Sequence, residues 1–345
     1  MDALIVLHIG AGQHALTKDH KYKTLIKQAL STLDLNKASE ILERSPSTNT
    51  GYGASLNWNG EVRCDASFIH DNGIRVQVGS MYNICHCYPI RETIDYFDKL
   101  EQIYQSGPFS TIGLRSPIML DYSLAELLGK KNEISGNEKR TSLVSPKAKY
   151  VFDSFKNRLR QGIKELEGIN IEVQDTIGII SIKGIETKIA ASSGGNFFKL
   201  PGRIGCAAIV GTGIAFHKYN DLTVSCLCSG NGEDIIKMGL AARVVETVTP
   251  SYEDVHSKML GDIVSSIVEK VQLQSTDEGK GGPVNVGVIC VTHEHSANVK
   301  RLLFCHNTPT FYFGFNYNGT MKVVLSKLKI DKVNKFMTGE YNLSK

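Results

Sequence analysis

The middle of the chain reads Asp175-Thr176-Ile177-Gly178-Ile179-Ile180, which places a threonine at the start of a β-branched run. Such a run predicts a buried β-strand, and Lys183-Gly184 predicts the turn that ends it. A threonine at a strand start is common on structural grounds alone. Its meaning therefore depends on the segments around it.

Three glycine-containing segments follow this strand in a fixed order. They are Ala190-Ala191-Ser192-Ser193-Gly194-Gly195, then Leu200-Pro201-Gly202-Arg203-Ile204-Gly205, then Ser229-Gly230-Asn231-Gly232-Glu233. The last segment joins a predicted strand to a predicted helix, and backbone N–H groups at such a turn suit an anion or an oxyanion. It is not a Walker A loop, because the Lys-Ser/Thr pair is missing.

The hydrophobic patterning predicts the α+β class. Strands are predicted at 4–9, on both sides of Asn59-Gly60, and at 284–291, 302–305, 311–317 and 320–325. Helices are predicted from Ser145-Pro146 onwards, over 233–247, and from Thr249-Pro250 to about 271. Strand pairs and helix pairs in separate runs favour a layered α+β arrangement over a βαβ array.

Composition excludes several classes of protein. The chain has 345 residues, a net charge of +4, 41% hydrophobic and 21% charged residues, which is ordinary globular composition. The charge is too small to indicate nucleic acid, and no apolar run is long enough for a membrane helix. The N-terminus lacks the pattern of a signal peptide. We therefore expect an intracellular protein, in the cytoplasm or nucleus, whose eight cysteines are free thiols.

One histidine pair is a candidate for a metal site. His293 and His295 are two residues apart and would share one face of a strand, but no third ligand is near in sequence. The pattern favours the end of a surface strand, and we expect no metal.

Taken in order, the central segments resemble the β-subunit of the N-terminal nucleophile family that contains plant-type asparaginases, isoaspartyl peptidases and threonine aspartase (taspase). The N-terminal half agrees. His8-Ile9-Gly10-Ala11-Gly12 resembles the opening strand and loop of that family, and residues 46–53 and 60–67 are similar to threonine aspartase in particular. The resemblance covers most of the chain, apart from about residues 105–165.

The resemblance implies a single domain over 1–345 with a four-layer αββα sandwich. It also implies self-cleavage between Asp175 and Thr176 into an α-subunit, 1–175, and a β-subunit, 176–345. The freed α-amine of Thr176, with a reference pKa of roughly 7.7–8.0, would then take the proton of the Thr176 hydroxyl. No cofactor is implied. A homodimer or a dimer of processed heterodimers is expected.

The resemblance also implies roles for individual residues. Thr176 matches the nucleophile, and Ser193 matches the hydroxyl beside it. Ser229 and Gly230 match the pair that stabilises the oxyanion. Arg203 matches the arginine that holds the substrate carboxylate, a role suited to a planar bidentate donor. Asn49 and Gly51 match the α-subunit loop that packs near the nucleophile.

Two departures from the asparaginase pattern bear on the substrate. Cys206 stands where asparaginases carry the aspartate that holds the substrate α-amine, and Asp175 stands where they carry glycine. Both favour a threonine endopeptidase that cuts protein substrates after aspartate. The alternatives are an asparaginase or isoaspartyl peptidase on small substrates, and an uncleaved binding module that uses the basic face of the 149–164 helix.

Overall fold

A computed structural model describes residues 2–106, 108–125, 143–162, 176–251, 257–274, 284–328 and 335–343. The helices are α1 (Asp19–Leu30), α2 (Leu35–Glu43), α3 (Pro89–Ser106), α4 (Pro108–Thr111), α5 (Tyr122–Ala125), α6 (Pro146–Arg160), α7 (Gly232–Met238), α8 (Leu240–Val248) and α9 (Ser257–Gln274). The strands are β1 (Ala3–Gly12), β2 (Cys64–Asp71), β3 (Val76–Ile84), β4 (Met119–Asp121), β5 (Ile177–Lys183), β6 (Glu186–Ser193), β7 (Ile214–Tyr219), β8 (Leu222–Gly230), β9 (Val286–Glu294), β10 (Val299–His306), β11 (Thr310–Tyr317), β12 (Thr320–Lys327) and β13 (Met337–Asn342).

The strands form two sheets. Within the described residues, the larger sheet has eight strands in the order β12-β11-β1-β5-β6-β2-β3-β4. The smaller sheet has five, in the order β13-β10-β9-β8-β7. Neighbouring strands are antiparallel except for the parallel pair β3 and β4. The strand that Thr176 precedes therefore lies near the centre of the larger sheet.

Apolar side chains divide into three buried clusters. One lies between α1, α2, α3 and the larger sheet, and includes Ile177 and Ile179. A second lies between α8, α9 and the smaller sheet. The third joins the two sheets and includes Ile180 and Ile182. Because side chains alternate along a strand, β5 faces the helices with one set of residues and the smaller sheet with the other. The α+β class is confirmed.

Several predicted elements have different bounds in the structure. The predicted helix over 233–247 is two helices, because Gly239 adopts a left-handed conformation (φ 55°) and ends α7. Residues 249–251 form a 3₁₀ turn, and α9 is described from Ser257. The strands predicted around Asn59-Gly60 are reduced, before β2, to a single bridge between Leu56 and Val62.

The predicted N-cap of α6 is present in the structure. The Ser145 side chain accepts a hydrogen bond from the Ala148 N–H and caps α6, with Pro146 in the first turn. All eight cysteines lie among the described residues and are free, and most are buried. Across the described ranges, we find no helix with the length and apolarity that crossing a membrane requires.

Candidate active site

Thr176 lies directly before β5 and is only 4% exposed. Ile177 pairs with Ser192, so the same antiparallel register places Thr176 opposite Ser193. Ser193 in turn pairs with Asp65 of β2. Residues directly opposite each other share one face of an antiparallel sheet. Thr176, Ser193 and Asp65 therefore form a row across three strands, on the face that packs against the smaller sheet.

Cys206 is the neighbour of the Thr176 side chain. Burial raises the pKa of the Cys206 thiol to about 12, while the Arg203 charge and a hydrogen bond with the Thr176 side chain oppose this rise. The thiol is therefore protonated and neutral at physiological pH. The predicted nucleophile has an uncharged group beside it, at the position where the asparaginase pattern has a carboxylate.

His8 is a second neighbour that the sequence did not identify as part of the site. It pairs with Gly178 in the register of β1 and β5, and its ring occupies the space that a side chain at Gly178 would need. Burial lowers the pKa of His8 to about 3, which an interaction with the Thr176 backbone partly opposes. Neither ring nitrogen makes a hydrogen bond of ordinary geometry with the described residues. His8 is therefore buried and uncharged beside Thr176.

Ser229 and Gly230 end β8, and β8 packs against β1 and β5. The Ser229 hydroxyl accepts a hydrogen bond of 3.1 Å from the Ala11 N–H and so joins the two sheets. Gly230 has φ +136°, and an added Cβ would collide with the Asn285 carbonyl oxygen. The turn therefore requires glycine for steric reasons. Its backbone leads directly into α7.

Asn49 holds the loop that follows Ser193. Its side chain donates to the Gly195 carbonyl oxygen (2.9 Å) and accepts from the Ser55 N–H (2.8 Å). Its own carbonyl oxygen accepts from the Gly194 N–H at 2.6 Å. Gly51 has φ +53°, and an added Cβ would lie 2.5 Å from two backbone carbonyl oxygens. Both residues shape the loop beside Thr176, the predicted nucleophile.

Arg203 already has a carboxylate partner within the chain. Its Nε and Nη2 atoms each donate at 2.9 Å to one oxygen of Glu233, in the first turn of α7. Asn196 donates to the same carboxylate at 3.0 Å. Partial burial opposes ionisation of Glu233, but the Arg203 charge outweighs it and lowers the pKa of Glu233. The predicted substrate-binding arginine is thus oriented by an internal bidentate ion pair.

Asp65 and Lys199 are two charged residues that sequence reasoning missed. The Asp65 carboxylate is fully buried, accepts from the Gly205 N–H at 2.9 Å, and lies 3.8 Å from the Lys199 Nζ. Burial raises the pKa of Asp65, and the Lys199 charge opposes the rise. Neither Asp65 Oδ1 nor Lys199 Nζ makes a hydrogen bond with the described residues. For Asp65, the one signal in the sequence is an acidic residue at a strand position whose side chain faces the interior.

The structure thus brings Thr176, Ser193, Arg203 and Cys206 together. Asp175 lies outside the described residues, as does Lys164 of the basic face considered for a partner. Within the described part of that face, Lys149 pairs with Asp153 at 3.1 Å. Among the described residues, we find no group of three or more possible metal ligands.

A nearly buried threonine that begins a central strand, beside a second hydroxyl and a carboxylate-binding arginine, is the layout of an N-terminal nucleophile hydrolase. Comparison with known families gives the particular family. The model of the asparaginase family Asparaginase_2 matches residues 11–275, and the chain belongs to this family of N-terminal nucleophile hydrolases.

Curated relatives carry related names. The chain is 26% identical to an isoaspartyl peptidase/L-asparaginase of Bos taurus, over 77% of this chain and 84% of the relative. It is 25% identical to a plant-type L-asparaginase of Pyrococcus furiosus, over 71% and 79%. It is 24% identical to the human isoaspartyl peptidase/L-asparaginase, over 70% and 75%. The names of these relatives agree with the family that the model match shows.

Proposed function

We propose that this chain is an autoprocessing threonine hydrolase that cleaves amide bonds of aspartyl groups. Family membership carries the proposal, and the burial of Thr176 at the start of β5 supports it. The three apolar clusters support the four-layer αββα packing that the proposal assumes. Residues 1–175 and 176–345 are the two subunits of the processed form.

The chemistry requires a free α-amine on Thr176. Before cleavage that nitrogen is an amide and cannot act as a base. After cleavage it takes the hydroxyl proton, and Oγ1 attacks the substrate carbonyl. The carbonyl C–N bond then breaks, the α-amine returns the proton to the departing ammonia or amine, and the ester that remains is hydrolysed by water to release the acid and free Thr176. The neutral groups beside Thr176 suit this step, because neither Cys206 nor His8 places a charge next to the α-amine.

The first candidate substrates are isoaspartyl peptides and asparagine, because the curated relatives bear those names. The Arg203 guanidinium supplies donors for the substrate carboxylate. A second candidate, endopeptidase cleavage after aspartate in proteins, is favoured by one observation. Cys206 is neutral and buried, so it offers no charge for the α-amine of a free amino acid.

Processing is tested first. Intact mass and N-terminal sequencing of the purified protein are expected to show a fragment beginning at Thr176, while Thr176→Ala stays a single chain. A fragment beginning elsewhere, or cleavage of Thr176→Ala at that bond, contradicts the proposal.

Substrate class is tested on the processed protein. Asparagine, a β-aspartyl dipeptide and an aspartate-containing peptide panel are compared by ammonia release and mass spectrometry. Turnover of the first two supports the small-substrate function, and cleavage restricted to the peptides supports the endopeptidase. A processed protein that hydrolyses none of them refutes both candidates.

A further inference from the structure

Some buried polar groups of the protein take no part in the proposed reaction. Lys199 is such a group. Its side chain is 3% exposed, and its ammonium lies 3.8 Å from Asp65 Oδ2 without a hydrogen bond to any described residue. A buried ammonium carries three donors and is costly to leave unpaired. Something else is therefore expected to accept from it.

The geometry around Gly195 shows where those donors point. A Cβ built on Gly195 would lie 2.7 Å from Arg203 Nη1 and 3.3 Å from Lys199 Nζ. The two cationic groups thus converge on the open side of a glycine. Gly195 also follows Ser193 closely, since its N–H donates to the Ser193 hydroxyl at 3.0 Å.

Arg203 keeps one nitrogen for a ligand. Its pair with Glu233 uses Nε and Nη2. The remaining Nη1 lies beside Gly195 and Gly205, where an added Cβ would be 2.7 and 2.6 Å from it. Both glycines leave space next to this nitrogen because neither has a side chain.

We propose that Lys199 is a second cation of the substrate-carboxylate site, so that one carboxylate binds between Lys199 Nζ and Arg203 Nη1 beside Gly195. Asp65 positions the lysine and holds the Gly205 N–H. The ligand class is an amino acid or peptide with an aspartyl carboxylate. This inference rests on the proposed function for its substrate, but binding can be measured without turnover.

The test is calorimetric binding of L-aspartate and of its diamide, asparaginamide, which has no carboxylate, to the purified protein. The wild type is expected to prefer L-aspartate by about ten- to hundredfold, the range of one or two charge-assisted hydrogen bonds. Lys199→Met keeps most of the side-chain volume and removes the charge. We expect it to weaken L-aspartate binding by at least tenfold and to leave asparaginamide binding nearly unchanged.

Four further variants complete the test. The double variant Asp65→Asn with Lys199→Met avoids a buried unpaired carboxylate and is expected to behave like Lys199→Met. Gly195→Ala is expected to abolish binding. The control Gly184→Ala also has a left-handed glycine, φ +60°, but nothing within 4 Å, and is expected to bind normally. Lys188→Met, on the exposed end of β6, controls for loss of a lysine.

Equal weakening of both ligands in Lys199→Met, or failure of the wild type to prefer L-aspartate, overturns the inference. A wild type that binds L-aspartate with this preference but hydrolyses no amide refutes the proposed function and leaves the second cation standing.

Discussion

Glu43 is a fully buried acid, and the hydrogen bonds to its carboxyl group come from neutral groups. Its Oε1 accepts from the Ser192 hydroxyl (2.7 Å) and the Ile90 N–H (3.0 Å). Thr50, next to Gly51, shares a hydrogen bond of 2.8 Å with the same hydroxyl. Burial raises the pKa of Glu43 to about 8. We therefore expect the protonation of Glu43 to affect the loop beside the predicted nucleophile, Thr176.

The direction of the pH effect follows from proton counts. Between the ordinary pKa of 4.5 and about 8, the folded state holds a proton on Glu43 that the unfolded state has lost. The Glu43 contribution is fully present below pH 4.5 and is lost as pH rises to about 8. We expect Glu43→Gln to remove a decline of at most about 1.4 kcal/mol per pH unit in the free energy of unfolding.

Urea unfolding of Thr176→Ala and of Thr176→Ala with Glu43→Gln, at several pH values from 5 to 8, measures this difference without the complication of processing. Parallel pH profiles for the two proteins would show that Glu43 is ionised in the folded state.

Gly230 gives a second prediction for a single residue. Gly230→Ala would drive a methyl group into the Asn285 carbonyl oxygen, at φ +136°. We expect a loss of at least about 3 kcal/mol in stability, or failure to fold, with loss of processing. Gly319→Ala is the matched control, because φ is +90° there but nothing lies within 4 Å. Its cost is expected to be about 1 kcal/mol, and similar unfolding free energies for the two variants would contradict the crowding argument.

Among the elements, α6 is held to the active-site loop by aromatic rings. Phe152 stacks on Phe198 with centroids 5.0 Å apart, and Phe155 contacts Phe197 at 4.3 Å. These two loop residues lie between Ser193 and Arg203. The helix that leads towards the proposed cleavage site is thus packed against the loop that carries the proposed substrate-binding residue.

We expect Phe155→Ala to destabilise the protein by roughly 3–5 kcal/mol, because a buried ring is removed and a cavity remains. Tyr150→Ala on the same helix is the control, since Tyr150 is 71% exposed. Its effect is expected to be within about 0.5 kcal/mol. Equal effects of the two substitutions in urea unfolding would show that α6 is not anchored through Phe155.

Local sequence signals predicted some helices and strands correctly and missed the boundaries of others. The β-branched run after Thr176 and the Ser145-Pro146 cap were sufficient because each acts within a few residues. The break at Gly239 was missed because an isolated glycine is tolerated within a helical pattern. The ion pairs of Arg203 with Glu233 and of Asp65 with Lys199 were missed because each joins residues at least 30 positions apart. Only the fold brings such charges together.

At the scale of the whole molecule, strands from before and after Thr176 alternate in the larger sheet. β1 lies between β11 and β5, and β2 lies beside β6. Residues 1–175 and 176–345 therefore share one sheet through three strand pairings. The smaller sheet lies wholly within 176–345, but neither fragment contains all the strands of the larger sheet.

We expect the processed fragments to elute together in native size-exclusion chromatography and to separate only in denaturant. Each fragment expressed alone is expected to be insoluble or unfolded, because β1 and β5 would each lose main-chain hydrogen bonds to neighbouring strands. A soluble, folded 176–345 fragment would contradict this prediction.

The alternating strands also change how stability depends on protein concentration. An uncut chain unfolds to one molecule, whereas a cut chain unfolds to two that must meet again to refold. Each tenfold dilution then removes about 1.4 kcal/mol from the apparent stability of the cut form and none from that of the uncut Thr176→Ala protein. Hydrolysis of one peptide bond would thereby make the stability of the folded protein depend on its concentration.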